Sequence, residues 1–170
     1  MPGLGGALGR GGAQATAGDL PGSVCRVAGW TEGIEITVAC RDGAGALLDT
    51  SFHLTYTLKR GLAFHGVPHA AYLLADRPTT AAYAPKAGYW FSTSGRKPAI
   101  RRTARGAYTV TLAGQTLGGS AQVSAYGGGS NRCVVAAIEK LAKPQRVRVR
   151  CFTADGSAPA DTRFLLHYLR

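Results

Sequence analysis

In Arg146–Cys151, "RVRVRC", basic and apolar residues alternate without a break: Val147, Val149 and Cys151 share one face, and Arg146, Arg148 and Arg150 share the other. A period of two describes a strand of an antiparallel sheet with one buried side. "FHLTY" and "FLLHY" read the same way. They predict Phe52, Leu54, Tyr56, Phe164, Leu166 and Tyr168 pointing inward, with His53 and His167 on the outward faces. "GAYTVTLAG" and "AGYWFSTSG" are further strands bounded by glycines. The pattern predicts four strands in the first third of the chain, four within residues 70–112 and four in the last third, with Gly and Pro punctuating the junctions. Only "VVAAIEKLAK" carries a helical pattern, and it reads as a strand running into a turn. The predicted fold is all-β, an antiparallel β-sandwich, immunoglobulin-like or related.

The strand pattern is stated twice. Ala13-Gln14-Ala15 matches Ala121-Gln122-Val123 and Cys25-Arg26-Val27 matches Cys133-Val134-Val135, both at a spacing of 108. Ile36, Val38 and Cys40 match Val147, Val149 and Cys151 at 111, and Asp49, Phe52, Leu54 and Tyr56 match Asp161, Phe164, Leu166 and Tyr168 at 112. Registers that drift by a few residues in the turns point to internal duplication. The expected organisation is an incomplete N-terminal repeat, its back half only, over residues 1–57, a linker over 58–69, and a complete β-rich repeat over 70–170. Met1-Pro2-Gly3 falls against Leu112-Ala113-Gly114, so no counterpart of residues 68–112 precedes the first copy. Either the repeat began upstream of this start, the preferred expectation, or half-units are themselves the building blocks.

The four cysteines occupy matching places. A hairpin turning at Glu32-Gly33 pairs residue i with residue 65−i and sets Cys25 opposite Cys40; a hairpin turning near Ala142 sets Cys133 opposite Cys151. Opposed strand positions bring Cβ atoms within about 4–5.5 Å, within reach of a disulfide. Four cysteines allow three connectivities, and the matched geometry favours Cys25–Cys40 and Cys133–Cys151. Buried free thiols are the alternative, whereas a Cys₄ metal site wants CxxC-type spacings that the chain lacks. Disulfides imply an oxidising compartment.

Composition changes the picture in one respect. Hydrophobic residues at 45% and charged residues at 17% suit a globular protein, and no apolar run approaches the ~18 residues of a membrane span. "MPGLGGALGRGGAQATAG" has no apolar segment of a signal peptide. The net charge of +11 is one-sided: residues 1–85 carry six Lys/Arg and six Asp/Glu, and residues 86–170 carry fourteen and three. A one-sided basic charge marks either a solvated face or a partner that is a nucleic acid or another polyanion.

Catalytic patterns do not assemble. His65 and His69 in "HGVPH" have the i, i+4 separation of a helical metal pair, but Gly66 and Pro68 oppose a helix. Ser94–Lys97 matches S-x-x-K at a glycine turn, where the required helix is missing. No G-x-S-x-G, phosphate loop or close carboxylate pair occurs, and no cofactor or metal is expected. Binding features are stronger. "YWFSTSGRKPAIRRTARGAY" interleaves Tyr89, Trp90, Phe91 and Tyr108 with Arg96, Lys97, Arg101, Arg102 and Arg105, a mixture suited to stacking and anion contact. The candidate contact residues are Trp90, Arg101, Arg102 and Arg105, with Arg146, Arg148 and Arg150 as a second basic stripe. The stripe's counterparts are Glu35, Thr37 and Ala39, so it belongs to one copy alone.

"AQVSAYGGGSNRCVV…RVRVRCFTADGSAPADTRFLLHY", preceded by "AYLLADRPTTAAYAP…GAYTVTLAG", resembles a tandem β-rich repeat of bacterial proteins, many of them predicted to be secreted. The AYG turn, the two cysteines and Pro159–Phe164 carry the resemblance, which covers residues ~70–170 in full and 1–57 as a back half. The first copy departs from it at Leu47-Leu48-Asp49. The resemblance implies a secreted or cell-surface, non-enzymatic binding or structural module whose partner is an extracellular polymer or protein. A basic nucleic-acid- or polyanion-binding protein is the first alternative and a secreted hydrolase the second.

Overall fold

The computed structural model describes residues 11–30, 35–58, 69–139 and 143–170. The predicted turn at Glu32-Gly33, the turn near Ala142, most of the 58–69 linker, and His65 lie outside them. The described residues contain strands and no helix, so none is long and apolar enough to cross a membrane. The strands are β1 (Gly11–Ala17), β2 (Val24–Trp30), β3 (Ile36–Arg41) and β4 (Phe52–Leu58); β5 (Ala70–Ala75), β6 (Ala82–Tyr83), β7 (Trp90–Ser92), β8 (Ala99–Ala104) and β9 (Ala107–Leu112); and β10 (Ser120–Ala125), β11 (Arg132–Ile138), β12 (Gln145–Phe152) and β13 (Phe164–Leu169). Residues 70–112 hold five strands where the alternation predicts four, because β6 has two residues and β7 three, too short to show a period.

All pairings are antiparallel. A four-stranded sheet, β10-β13-β5-β7, faces a five-stranded sheet, β11-β12-β9-β8-β6. Their facing sides form one core: Leu73, Phe164, Leu166 and Tyr168 from the first meet Ile100, Val110, Val147 and Val149 from the second. This is a sandwich-like arrangement. The alternation in β9 and β12 is the one read from sequence, with Val147, Val149 and Cys151 buried and Arg148 and Arg150 exposed.

β1–β4 make two further pairs, β1-β4 and β2-β3, in the same order as β10-β13 and β11-β12. The hairpins share details. Cys25 faces Cys40 and the register shifts between Val27 and Gly29; Cys133 faces Cys151 and the register shifts between Val135 and Ala137. Both facing pairs are disulfide-bonded. The rule that pairs i with 65−i therefore holds from Val24 to Val27 and fails beyond the bulge, where Gly29 faces Thr37.

Strands β5 and β13 are buried on both sides. Their second side packs on β1: Ala13, Ala15, Cys25, Val27 and Cys40 form a second core with Leu74, Tyr89 and Leu165. Gly12 lies so close to β13 that an added Cβ would overlap His167 Nε2 and stand 3.0 Å from the Tyr72 ring. This corrects the expectation for His167, which is 3% exposed rather than solvated; burial pushes its pKa down to about 4. A second correction concerns β4. Phe52 and Leu54 are 46% and 41% exposed, whereas Phe164 and Leu166 are fully buried. Among the described residues no second strand lies beside β4 on the side away from β1.

Candidate functional site

The alternation in β12 sets Arg146, Arg148 and Arg150 on the outer face of the five-stranded sheet, opposite the side that carries Val147 and Val149. Same-face residues on one strand are about 6.8 Å apart. Register extends the face across three strands: Arg148 faces Thr109 of β9, and Thr109 faces Arg101 of β8. β8 and β12, with β9 between them, lie about 9–10 Å apart in the pairing direction, so Arg101 and the β12 arginines form a two-dimensional array with small residues between. The array lines a shallow groove of about 730 Å³ with Thr109, Thr111 and Glu139. Arg101 and Arg150 are exposed. Arg105 stands exposed in the turn between β8 and β9.

One carboxylate tempers this charge. Glu139 approaches Arg146 at 3.5 Å and Arg148 at 3.0 Å, both pairs at the surface and therefore weak. Arg101, Arg105 and Arg150 have no acidic partner among the described residues. The groove is a flat cationic surface suited to a row of anionic groups, without the depth that encloses a small molecule.

The structure separates residues that the sequence places side by side. Arg102 faces Tyr108 in the register of β8 and β9, and its Nε and Nη2 donate to the two Asp161 oxygens at 2.9 and 2.8 Å. Asp161 also accepts from Gly106 N at 2.9 Å, and the Tyr108 hydroxyl lies 3.1 Å from it. The hydroxyl in turn accepts from Thr162 N at 3.1 Å. The Arg102 guanidinium, chiefly, holds the Asp161 carboxyl down at about 2, and burial pushes the Tyr108 phenol up to about 12. Arg102 is thus a strut between β8 and the segment that leads into β13.

Trp90 belongs to β7, at the edge of the other sheet, half-buried and packed against the main core. Tyr89 is buried in the second core, and Phe91 stacks on Tyr72 with ring centroids 5.4 Å apart. Among the described residues, no aromatic platform lies on the arginine face. Ser94 of the S-x-x-K match donates to the Ala113 carbonyl at 2.8 Å, in a turn with Gly95 at positive φ. Among the described residues no serine hydroxyl bonds a histidine, and no three His, Cys, Asp or Glu side chains gather as metal ligands.

Sequence reasoning missed two features. The Asp161 hub has its signal in the matched Asp49 and Asp161, although the donors come from another part of the chain. Arg26 is 2% exposed, with Nε and Nη2 unpartnered; it sits in a strand between inward-facing Cys25 and Val27, where alternation predicts an outward, solvated side chain. No protein family matches the chain, no curated protein matches it, and no solved structure matches its fold.

Proposed function

We propose that the protein is a non-catalytic binding module, secreted or held at the cell surface, whose arginine face takes an acidic extracellular polysaccharide. The observation that carries this reading is the array of Arg101, Arg146, Arg148 and Arg150 on one flat sheet face with, among the described residues, a single carboxylate beside them. Two hairpin disulfides favour an oxidising compartment. Single-stranded nucleic acid fits the charge equally well. It gains much of its affinity from bases stacked on aromatic side chains, and the aromatic cluster of the chain lies on the other sheet or in the core. The matched hairpins, bulges and disulfides support the reading of β1–β4 and β10–β13 as two copies of one half-repeat.

The test is titration of the oxidised protein with dextran sulfate, alginate and a single-stranded oligonucleotide. Arg101→Glu/Arg148→Glu/Arg150→Glu should abolish binding to the polysaccharides while the fold and both disulfides remain. Polysaccharide binding unaffected by the triple substitution would remove this surface from the account. Tighter binding of the oligonucleotide than of either polysaccharide, with a steep salt dependence, would favour the nucleic-acid reading.

A further inference from the structure

The two sets of four strands differ in what lies beside them. β13 pairs with β5 along its length, from Phe164↔Ala75 to Leu169↔Ala70, and β12 pairs with β9, from Gln145↔Leu112 to Arg150↔Ala107. Among the described residues, β4 pairs only with β1 and β3 only with β2. An unpaired edge leaves a row of backbone donors and acceptors open to another strand. The side chains follow: Phe52 and Leu54 stand exposed where Phe164 and Leu166 are sealed, and Leu47 beside them is 72% exposed. Val38, Cys40, Leu48 and Phe52 line an open groove of about 440 Å³ between β3 and β4. Between β12 and β13 the corresponding space holds Ile100, Tyr108 and Val110.

The polar groups repeat the contrast. The turn after β3 is built like the turn after β12. Leu48 N donates to Cys40 O at 3.1 Å as Ala160 N donates to Cys151 O at 3.0 Å, and Gly45 N to Asp42 O as Gly156 N to Thr153 O. Asp49 follows Leu48 as Asp161 follows Ala160. Asp161 takes all its donors from residues 102–108, whereas Asp49 is exposed and has no partner among the described residues. Thr50 Oγ1 is buried without a hydrogen bond, while Thr162, its counterpart, is engaged through both its N and Oγ1.

We propose that the open side of β3 and β4 is a docking site for a polypeptide segment like residues 70–112, other than the chain's own residues 70–112. That segment brings an apolar strand to lie along β4 and a hairpin of the pattern Arg-x3-Gly-x-Tyr to cap Asp49. The glycine is required by contact: a Cβ at Gly106 would stand 2.7 Å from Ala160 N, at φ +65°. Strand addition supplies backbone hydrogen bonds and leaves specificity to the pockets. The chain's own residues 70–112 do not fill the site, because β5 and β9 are already paired with β13 and β12.

The test is fluorescence anisotropy of a labelled synthetic peptide, residues 69–114, titrated with the full oxidised chain. Saturable binding is expected, weakened about tenfold or more by Asp49→Asn and by Phe52→Lys in the chain and abolished by Gly106→Val in the peptide. Phe52 is already half exposed, so its substitution leaves the fold intact. Absence of saturable binding, or binding indifferent to both chain substitutions, overturns the proposal. Binding lost with Asp161→Asn but kept with Asp49→Asn overturns it too, since the peptide then exchanges with the resident segment.

Discussion

Replacing Asp161 by Ala removes the acceptor that ties β8, the β8–β9 turn and Tyr108 to the segment before β13. Two of its four contacts come from the Arg102 guanidinium at 2.8 and 2.9 Å, one from Gly106 N and one from Tyr108. A hydrogen bond to a charged group contributes about 1.5–3 kcal/mol and a neutral one about 1. Arg102 and Asp161 retain 29% and 18% of their side-chain exposure, and Tyr108 keeps the Pro78 carbonyl at 3.1 Å, so the low end applies. The expected loss is about 3 kcal/mol. Asp49→Ala, at the matched position without partners, should cost less than about 0.5 kcal/mol. Urea unfolding of both variants at pH 7 measures the difference. The pH dependence adds a check: the folded pKa of Asp161 lies near 2, below its ordinary 3.8. Its contribution is therefore present above pH ~4 and lost as the pH falls toward 2, and the gap between wild type and Asp161→Ala should close over that range. A loss below about 1 kcal/mol for Asp161→Ala, or equal losses at both positions, would refute the hub.

His167 is held near pKa 4 by burial, so its neutral form contributes stability that is present above pH ~6.5 and lost as the pH falls toward 4, up to about 3 kcal/mol; NMR should find a neutral imidazole at pH 5.5, and a protonated ring there would contradict the packing of β1 on β13. Gly12→Val drives a side chain into His167 and Tyr72 and should cost about 1–3 kcal/mol in thermal unfolding, an unchanged midpoint contradicting the close approach. Arg26→Met removes a buried guanidinium whose Nε and Nη2 have no hydrogen-bond partner and should leave stability equal or higher; a loss of several kcal/mol would reveal a partner for that charge.

Strand periodicity was legible wherever one face of a strand meets a core and the other meets solvent, as in β12 and β9. It misled where that condition failed. β13 is apolar on both sides because β1 packs behind it, so His167 is buried. β4 keeps the matched apolar residues but, among the described residues, pairs with β1 alone, so Phe52 and Leu54 are exposed. The cysteine pairing was legible because opposed positions in a hairpin depend only on local register. The arginine stripe of β12 was legible for the same reason, but its union with Arg101 and its separation from Trp90 and Arg102 are set by which strands neighbour one another. Neighbours in space, unlike faces of a strand, have no period in the chain.

The most direct test of the arginine face is chemical protection. The oxidised protein is treated with phenylglyoxal, which modifies accessible guanidinium groups, with and without dextran sulfate, and each arginine peptide is quantified by mass spectrometry. Arg101, Arg148 and Arg150 should be protected by the polymer, with Arg170, exposed just past the end of β13 in the other sheet, modified equally in both samples. Equal modification of the three with and without polymer, or protection centred elsewhere on the surface, would contradict the account.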